Sequence, residues 1–216
     1  MELTTAQIKK VENYLYNKNF DFIDLKDEIL DHMISDIESK MSKNLSFENA
    51  FKMMVLKWDT HFRDTSSFFF GLMYSNSKIV VKKAVKLFKP FYFLYIAAYF
   101  LPVAFLKLFP VTFSESIVNF INGFLLSFSI VMLGYMLFIF IKTRMTKVKT
   151  TYRFILSTQY FGLILLIMGL SVGVFKDDGM LNPVFTGFVC GGYAVVYICH
   201  YFYKKHIEEV QKYKIQ

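Results

Sequence analysis

The sequence predicts an all-α membrane protein: a small N-terminal cytoplasmic helical domain followed by a four-helix transmembrane bundle. Three observations predict it. Four stretches, residues 90–106, 116–141, 154–175 and 179–203, contain no Asp, Glu, Lys or Arg. Each suits the roughly 17–25 apolar residues that cross a hydrocarbon core about 30 Å thick. Residues 1–64, by contrast, mix polar and apolar residues at helical spacing. Finally, Lys and Arg crowd the ends of the apolar stretches. Charged residues make up 19% and hydrophobic ones 55% of the chain, against about 25% charged in soluble domains. This excludes a soluble enzyme, a secreted disulfide scaffold and a disordered chain.

The first 20 residues lack the basic start, apolar run and small-residue cleavage site of a signal peptide, so this segment is expected to be retained as folded structure. Thr4-Thr5-Ala6-Gln7 is a capping-box pattern, after which Ile8, Val11 and Leu15 share a helix face. Residues 17–21 are polar and interrupt it. Asp21 or Asp24 is expected to cap a second helix running to about Ser42. Its inward face is Leu25, Ile29, Leu30, Met33, Ile34, Ile37 and Met41. Asn44 ends that helix, and Ser46 caps a third with Phe47, Ala50, Phe51, Met54 and Trp58 as its stripe. Three such helices share one core, in a domain of residues 1–64 that is small enough to be marginally stable.

The second helix also carries a dense polar face: Asp27, Glu28, Asp31, His32, Asp36 and Glu38. Glu28, His32 and Asp36 follow each other at i, i+4 and i+8. Imidazole with carboxylates suits a divalent transition metal. One His on one helix is a nonspecific pattern, however, so these six residues are read as a partner-binding surface, with no metal and no cofactor. His61 is read as a surface or linker residue.

Residues 65–89 form a basic juxtamembrane segment. The Phe68–Phe69–Phe70 run is placed close to the membrane. From Ser75 onward, Ile79, Val80, Val81, Ala84, Val85, Leu87 and Phe88 interleave with lysines. That composition predicts a helix lying on the inner leaflet before the first span. A helix continuous with the first span is the competing reading.

The run Leu25-Lys26-Asp27-Glu28-Ile29-Leu30-Asp31-His32-Met33-Ile34-Ser35-Asp36-Ile37-Glu38, followed by Leu45-Ser46-Phe47-Glu48-Asn49-Ala50-Phe51, resembles the HAAS-type cytoplasmic domains of bacterial membrane proteins encoded beside PadR-like regulators. The Asp-His-x-x-Ser-Asp-Ile-Glu form is similar to Bacteroidetes versions. The resemblance covers about residues 1–65. Where HAAS domains carry Gly between their second and third helices, this chain has Lys43-Asn44-Leu45-Ser46, and Asn tolerates the left-handed turn. The resemblance implies a regulatory or signalling role without a catalytic site, and a PadR-like regulator as a partner.

The four spans are expected at about residues 90–109, 116–141, 154–175 and 181–203, with a cytoplasmic tail at 204–216. Residues 1–64 carry 9 Lys/Arg and 12 Asp/Glu, whereas residues 65–216 carry 16 and 5. The basic excess lies before the first span, between the second and third, and after the fourth. Short Lys/Arg-rich loops stay inside, so both termini are expected in the cytoplasm of a bacterium and the spans in its inner membrane. Lys82, Lys83, Lys86, Lys89, Lys142, Arg144, Lys147 and Lys149 are expected to meet lipid headgroups.

Within the spans, Gly169 and Gly173, and Gly187 and Gly191, form two GxxxG patterns that predict close packing of the third and fourth spans as a hairpin. Pro102 is placed to kink the first span. Asn119, Asn122, Ser127, Ser129, Ser157, Thr158 and Gln159 are read as interhelical hydrogen-bonding groups. Tyr193, Tyr197 and Tyr201 form an i, i+4, i+8 stripe, read as a packed face rather than a ligand groove. His200 is read as interfacial. Cys190 and Cys199 fall on opposite helix faces and cannot pair with each other.

No P-loop, GxGxxG, HExxH or CxxC pattern occurs. The expected function is therefore a non-enzymatic, regulatory or signalling integral membrane protein whose N-terminal domain binds a cytoplasmic partner. The alternative is a small transporter, or transporter subunit, for a hydrophobic substrate. Expected partners are the bilayer, a cytoplasmic protein and a second copy in a homo-oligomer. Direct nucleic-acid binding is not expected, because each basic cluster adjoins a span.

Overall fold

The computed structural model describes residues 2–215. It contains α1 (Thr5–Asn17), α2 (Ile23–Met41), α3 (Phe47–Phe62), β1 (Asp64–Ser67), β2 (Gly71–Ser77), α4 (Lys78–Leu108), α5 (Glu115–Met145), α6 (Thr151–Ser157), α7 (Tyr160–Val172) and α8 (Pro183–Ile215). The chain divides into two compact units. One comprises the residues up to Lys86, Val148–Phe154 and the chain from His206 onward; the other comprises Leu87–Lys147 and Ile155–Lys205.

In the first unit, the expected capping box opens α1: Gln7 donates its backbone N–H to Thr4 Oγ1, and Thr4 donates its own to Gln7 Oε1. Val11, Leu15, Leu25, Ile29, Met33, Ile37, Ala50, Met54 and Trp58 are buried, one stripe from each of α1, α2 and α3. Asn44 takes the left-handed conformation between α2 and α3, with φ 64°. Neither Asp21 nor Asp24 caps α2. Its N-cap is Phe22, without a side-chain bond, because both aspartates are engaged elsewhere. Lys10 bonds Glu48 across α1 and α3. Tyr14 donates to Asp59, which also pairs with Lys18. Burial first, and then this carboxylate, push the Tyr14 hydroxyl well above its ordinary range.

Two departures from the predicted organisation follow. β1 and β2 form an antiparallel hairpin, an exception to the all-α prediction. Its turn holds the triple-Phe run: Phe70 is buried edge-on against Phe154, whereas Phe68 is exposed. The basic segment after it is not a separate helix lying on a leaflet. It forms the start of α4, which runs on through Pro90 and Pro102 without interruption. Val80, Val81 and Ala84 are buried, and Lys83 pairs with Asp24 and Glu28 of α2. The unit therefore extends past residue 64, and also takes in a segment that the sequence placed between spans.

That segment, Val148–Phe154, is held by residues far away in the chain. Lys149 O accepts the N–H of Ile23, Lys149 Nζ pairs with Asp21, and Thr150 bonds His206 at 2.9 Å. Asp24 Oδ1 accepts the N–H of Thr151 at 2.9 Å. A first-turn N–H of a helix has no partner within the helix, so Asp24 satisfies the start of α6.

The protein is an integral membrane protein. Among the described residues, four helices are long and apolar enough to cross a bilayer: Lys78–Leu108, Glu115–Met145, Thr151–Val172 and Pro183–Lys214. The third is broken into α6 and α7 at Thr158–Gln159, where the sequence predicted one continuous span. Thr158 Oγ1 and Gln159 Nε2 both donate to Ile155 O and so use hydrogen-bonding capacity at the break.

In the second unit, α8 packs against α4, α5 and α7. Phe91 packs at a tilt on Tyr201, and Tyr99 stacks on Phe188, between α4 and α8. Leu166 of α7 is buried with Val189 of α8, and Leu125 and Leu133 of α5 pack on them. The connections after α4 and α7 meet: Phe113 donates its N–H to Gly179 O, and Thr112 and Met180 form an isolated bridge.

Candidate functional site

Four ring and hydrogen-bond contacts set α5 beside α8. Phe128 packs edge-on against Tyr193 and Ser129 bonds the Tyr193 hydroxyl at 2.7 Å. Tyr135 Oη lies 2.6 Å from His200 Nδ1, and Phe138 meets Tyr203 edge-on. The sequence offset is 64 or 65 positions at every contact, so the two helices run parallel and in register. Phe128 and Tyr135 are seven residues apart, as are Tyr193 and His200, which returns each pair to the same face after two turns.

Between these helices lies a groove of ≈ 610 Å³, lined by Phe128, Val131, Met132, Tyr135, Tyr193, Val196, Tyr197 and His200. Its wall is apolar apart from the phenols and the imidazole. Val131, Tyr197 and His200 are exposed along it. The Tyr197 hydroxyl and His200 Nε2 have no hydrogen-bond partner among the described residues. Its lining holds no carboxylate, and the phenols and the imidazole are the hydrogen-bonding groups it offers.

The tyrosine stripe splits. Tyr193 and Tyr197 line the groove, whereas Tyr201 packs against Phe91 of α4. The spacing marked Tyr193 and Tyr197. Ser129, read from the sequence as an interhelical hydrogen-bonding group, does bond Tyr193; Phe128 and Tyr135 carried no such mark, and the matching seven-residue spacing on both helices was the available signal.

The glycines divide differently from the two motifs. A Cβ at Gly169 would lie 3.0 Å from Val189 Cγ2, so this residue does admit α8 against α7. Gly173 instead ends α7 with φ 90°. Gly187 faces Tyr99 and Val103, and Gly191 faces Tyr95 and Tyr99, all on α4 rather than the third span. The tight contact between α7 and α8 rests on Gly162 against Val195 and Gly192 against Leu166, neither of which the motif identified. A Cβ at Gly192 would come within 2.5 Å of Leu166 Cβ, an atom that no rotamer change moves. Gly192→Ala is therefore expected to cost about 1–3 kcal/mol by overpacking. Gly191→Ala, whose Cβ would find ordinary contacts at 3.5 Å or more, should stay within about 0.5 kcal/mol. Thermal stability of the two variants in detergent checks the ordering.

The six polar residues of α2 do not form one displayed surface. Asp27, Glu28, Asp31 and His32 are exposed. Asp36 is turned toward the protein, its side chain 16% exposed, and pairs with Lys40 and Lys57. Burial acts to raise its carboxyl, but the hydrogen bonds and charges of those two lysines outweigh it and hold the carboxyl below its ordinary value. Glu38 accepts the N–H of Leu3. Glu28, His32 and Asp36 are therefore not a joint ligand set. Among the described residues, no group of three or more His, Cys, Asp or Glu is placed to hold a metal ion.

Of the eight basic residues expected at headgroups, Lys82, Lys86, Lys89, Lys142, Arg144, Lys147 and Lys149 are exposed. Lys149 nevertheless pairs with Asp21, and the less exposed Lys83 pairs with Asp24 and Glu28, within the first unit. His61 is half-buried, its ring centroid 5.4 Å from that of Trp58. No family model, curated protein or solved structure matches the chain.

Proposed function

We propose that the protein is a non-enzymatic, regulatory membrane protein. In this reading its first unit presents a protein-binding surface to the cytoplasm of a bacterium, and both termini lie on the cytoplasmic side of the inner membrane. One observation carries it. Asp24, Asp36 and Glu38 of α2 are consumed in holding the unit together. Asp27 and Asp31, one helical turn apart, are exposed with no hydrogen bond or ion pair among the described residues. Folding does not use their charge, and exposed charge chiefly sets partner choice and association rate. The HAAS-type resemblance over residues 1–65 points to the same role, with a PadR-like regulator as the partner class. The basic residues beside the spans support the orientation.

The test is to isolate the full-length protein from its own membranes after mild cross-linking, as wild type and as Asp27→Lys/Asp31→Lys. We expect one cytoplasmic protein to fall about fivefold or more in the variant, the scale of one or two exposed charge pairs. Recovery of the membrane protein itself should not change. If no cytoplasmic protein depends on these two residues, the binding reading fails.

A second reading, a small transporter for a hydrophobic substrate, is favoured by the break at Thr158–Gln159, because discontinuous spans mark substrate sites in transporters. Movement of an apolar dye across proteoliposomes, lost on repairing the break with Thr158→Ala/Gln159→Ala, would select it.

A further inference from the structure

We propose that the groove between α5 and α8 is a binding site for one ester-linked glycerophospholipid, held with its phosphate toward Lys142 and Lys204. This goes beyond the partner-binding reading and stands independently of it. The argument is the order of chemistries along the groove. Its apolar end is Phe128, Val131, Met132 and Val196. Next come hydrogen-bonding groups: the Tyr135–His200 pair, whose imidazole keeps Nε2 unpartnered among the described residues, and the free Tyr197 hydroxyl. Beyond these, the same helix faces end in cations. Lys142 is seven residues after Tyr135, and Lys204 is four after His200; both are exposed. Those spacings are about 10 and 6 Å along a helix.

A phospholipid leaflet has the same order: chains, then ester carbonyls, then phosphate, with the polar layers spanning about 5–8 Å on each side of the core. The occupant must also satisfy polar groups. In hydrocarbon an unpaired hydroxyl or imidazole N–H is costly. Saturated chain ends cannot satisfy Tyr197 and His200, but an ester carbonyl accepts from the Tyr197 hydroxyl, and from His200 Nε2 in the tautomer whose Nδ1 accepts from Tyr135.

A helix from a second copy fits less well. Helices in lipid associate through small residues, and this groove is walled by Phe, Met and Tyr. The exposed small residues of α5, Gly123, Ser127 and Gly134, lie on another face of the helix. Nothing approaches a Cβ at Gly123 or Gly134 within 4 Å.

The full-length protein is reconstituted in vesicles of ester-linked phosphatidylglycerol and phosphatidylcholine containing a trace of phosphatidylglycerol with a diazirine on one chain. After irradiation, adducts are mapped by peptide mass spectrometry. We expect Val131, Met132 and Val196 to be labelled about fivefold more than Ile130 and Leu137, two exposed residues of α5 that do not line the groove. Ester-linked phosphatidylglycerol should displace the probe about fivefold better than its ether-linked analogue, the worth of one net hydrogen bond. Tyr197→Phe/His200→Phe should abolish that preference, and phosphatidylglycerol should outcompete diacylglycerol. Val131→Trp, which fills the groove, should lower labelling at Val196. Equal labelling of groove and control residues would overturn the proposal, as would equal displacement by ester and ether lipids. Disulfide-linked dimers formed through Val131→Cys would assign the groove to a second copy instead. The conservative double variant keeps the test decisive should the Trp variant misfold.

Discussion

Replacing Asp24 by Ala is expected to destabilise the first unit by about 3 kcal/mol. The Asp24 side chain is only 3% exposed, with Lys83 Nζ 3.7 Å from Oδ2. Oδ1 accepts the N–H of Thr151, itself fully buried. Removing the carboxylate leaves a buried N–H unsatisfied, a loss of about 1–3 kcal/mol. It also removes the carboxylate partner of Lys83, whose ammonium keeps the Asp24 backbone oxygen at 2.6 Å and the solvent-exposed Glu28. Breaking one side of a buried pair costs about 3–5 kcal/mol, and the partial exposure of Lys83 places the total at the lower end. Asp24→Asn, which retains an acceptor for Thr151, should recover about half. Hydrogen exchange at the amides of residues 148–154 reads the effect locally. Unchanged protection in Asp24→Ala would show that this carboxylate does not hold the segment.

Acid should loosen the same region well above the range where carboxylates titrate. α8 is apolar up to Tyr203 and then turns basic at Lys204 and Lys205. His206, beyond that boundary, is fully buried and bonded to Thr150. Burial first, and then the charge of Arg153, lower its imidazole from 6.5 to about 4. Between those values the unfolded chain binds the proton that the folded chain refuses, so stability falls as pH falls from about 6.5 to about 4. The difference amounts to roughly 3 kcal/mol at the lower limit. His61, lowered by burial and by Lys82, Lys78 and Lys57, acts with the same sign.

Asp36 and Asp59 have lowered carboxyls. Lys40 and Lys57 outweigh the opposing burial at Asp36, and hydrogen bonds from Lys18 and Tyr14 act at Asp59. Their contribution is intact above their unfolded values and is lost only as pH drops through the folded ones. His206→Gln should therefore flatten the pH dependence of hydrogen exchange between pH 6.5 and 4.5, while leaving the steeper loss below pH 4. A wild-type profile flat down to pH 4.5 would contradict the assignment.

What could be read from the sequence was what depends on neighbours within a few turns. The Thr4–Gln7 box, the stripes of α1, α2 and α3, and the left-handed Asn44 each follow from residues three or four apart, or from one backbone conformation. The four spans follow from runs of uncharged residues, because a bilayer demands an unbroken apolar length. The charge gradient supplied an expected orientation by the same kind of local counting.

The site was legible only in part. Tyr193 and Tyr197 could be aligned by spacing, but the rotation of α8 decides that they line a groove while Tyr201 packs on Phe91. Gly187 and Gly191 were visible as a close-packing pattern, but a motif does not name its partner helix. That partner proved to be α4, while Gly192, one residue on, meets α7.

Periodicity and composition along the chain were enough to place α1, α2 and α3, the apolar stretches and the polar character of the N-terminal unit. Which charges are spent and which are available was settled by packing between distant segments. Asp24 meets Thr151 across 127 positions, Lys149 meets Asp21 across 128, and Asp36 is claimed by Lys57 as well as by its helical neighbour Lys40. Pairing over such separations depends on how whole helices pack. Burial then decides whether a carboxylate is retained by its own fold, as at Asp24, or left exposed, as at Asp27 and Asp31.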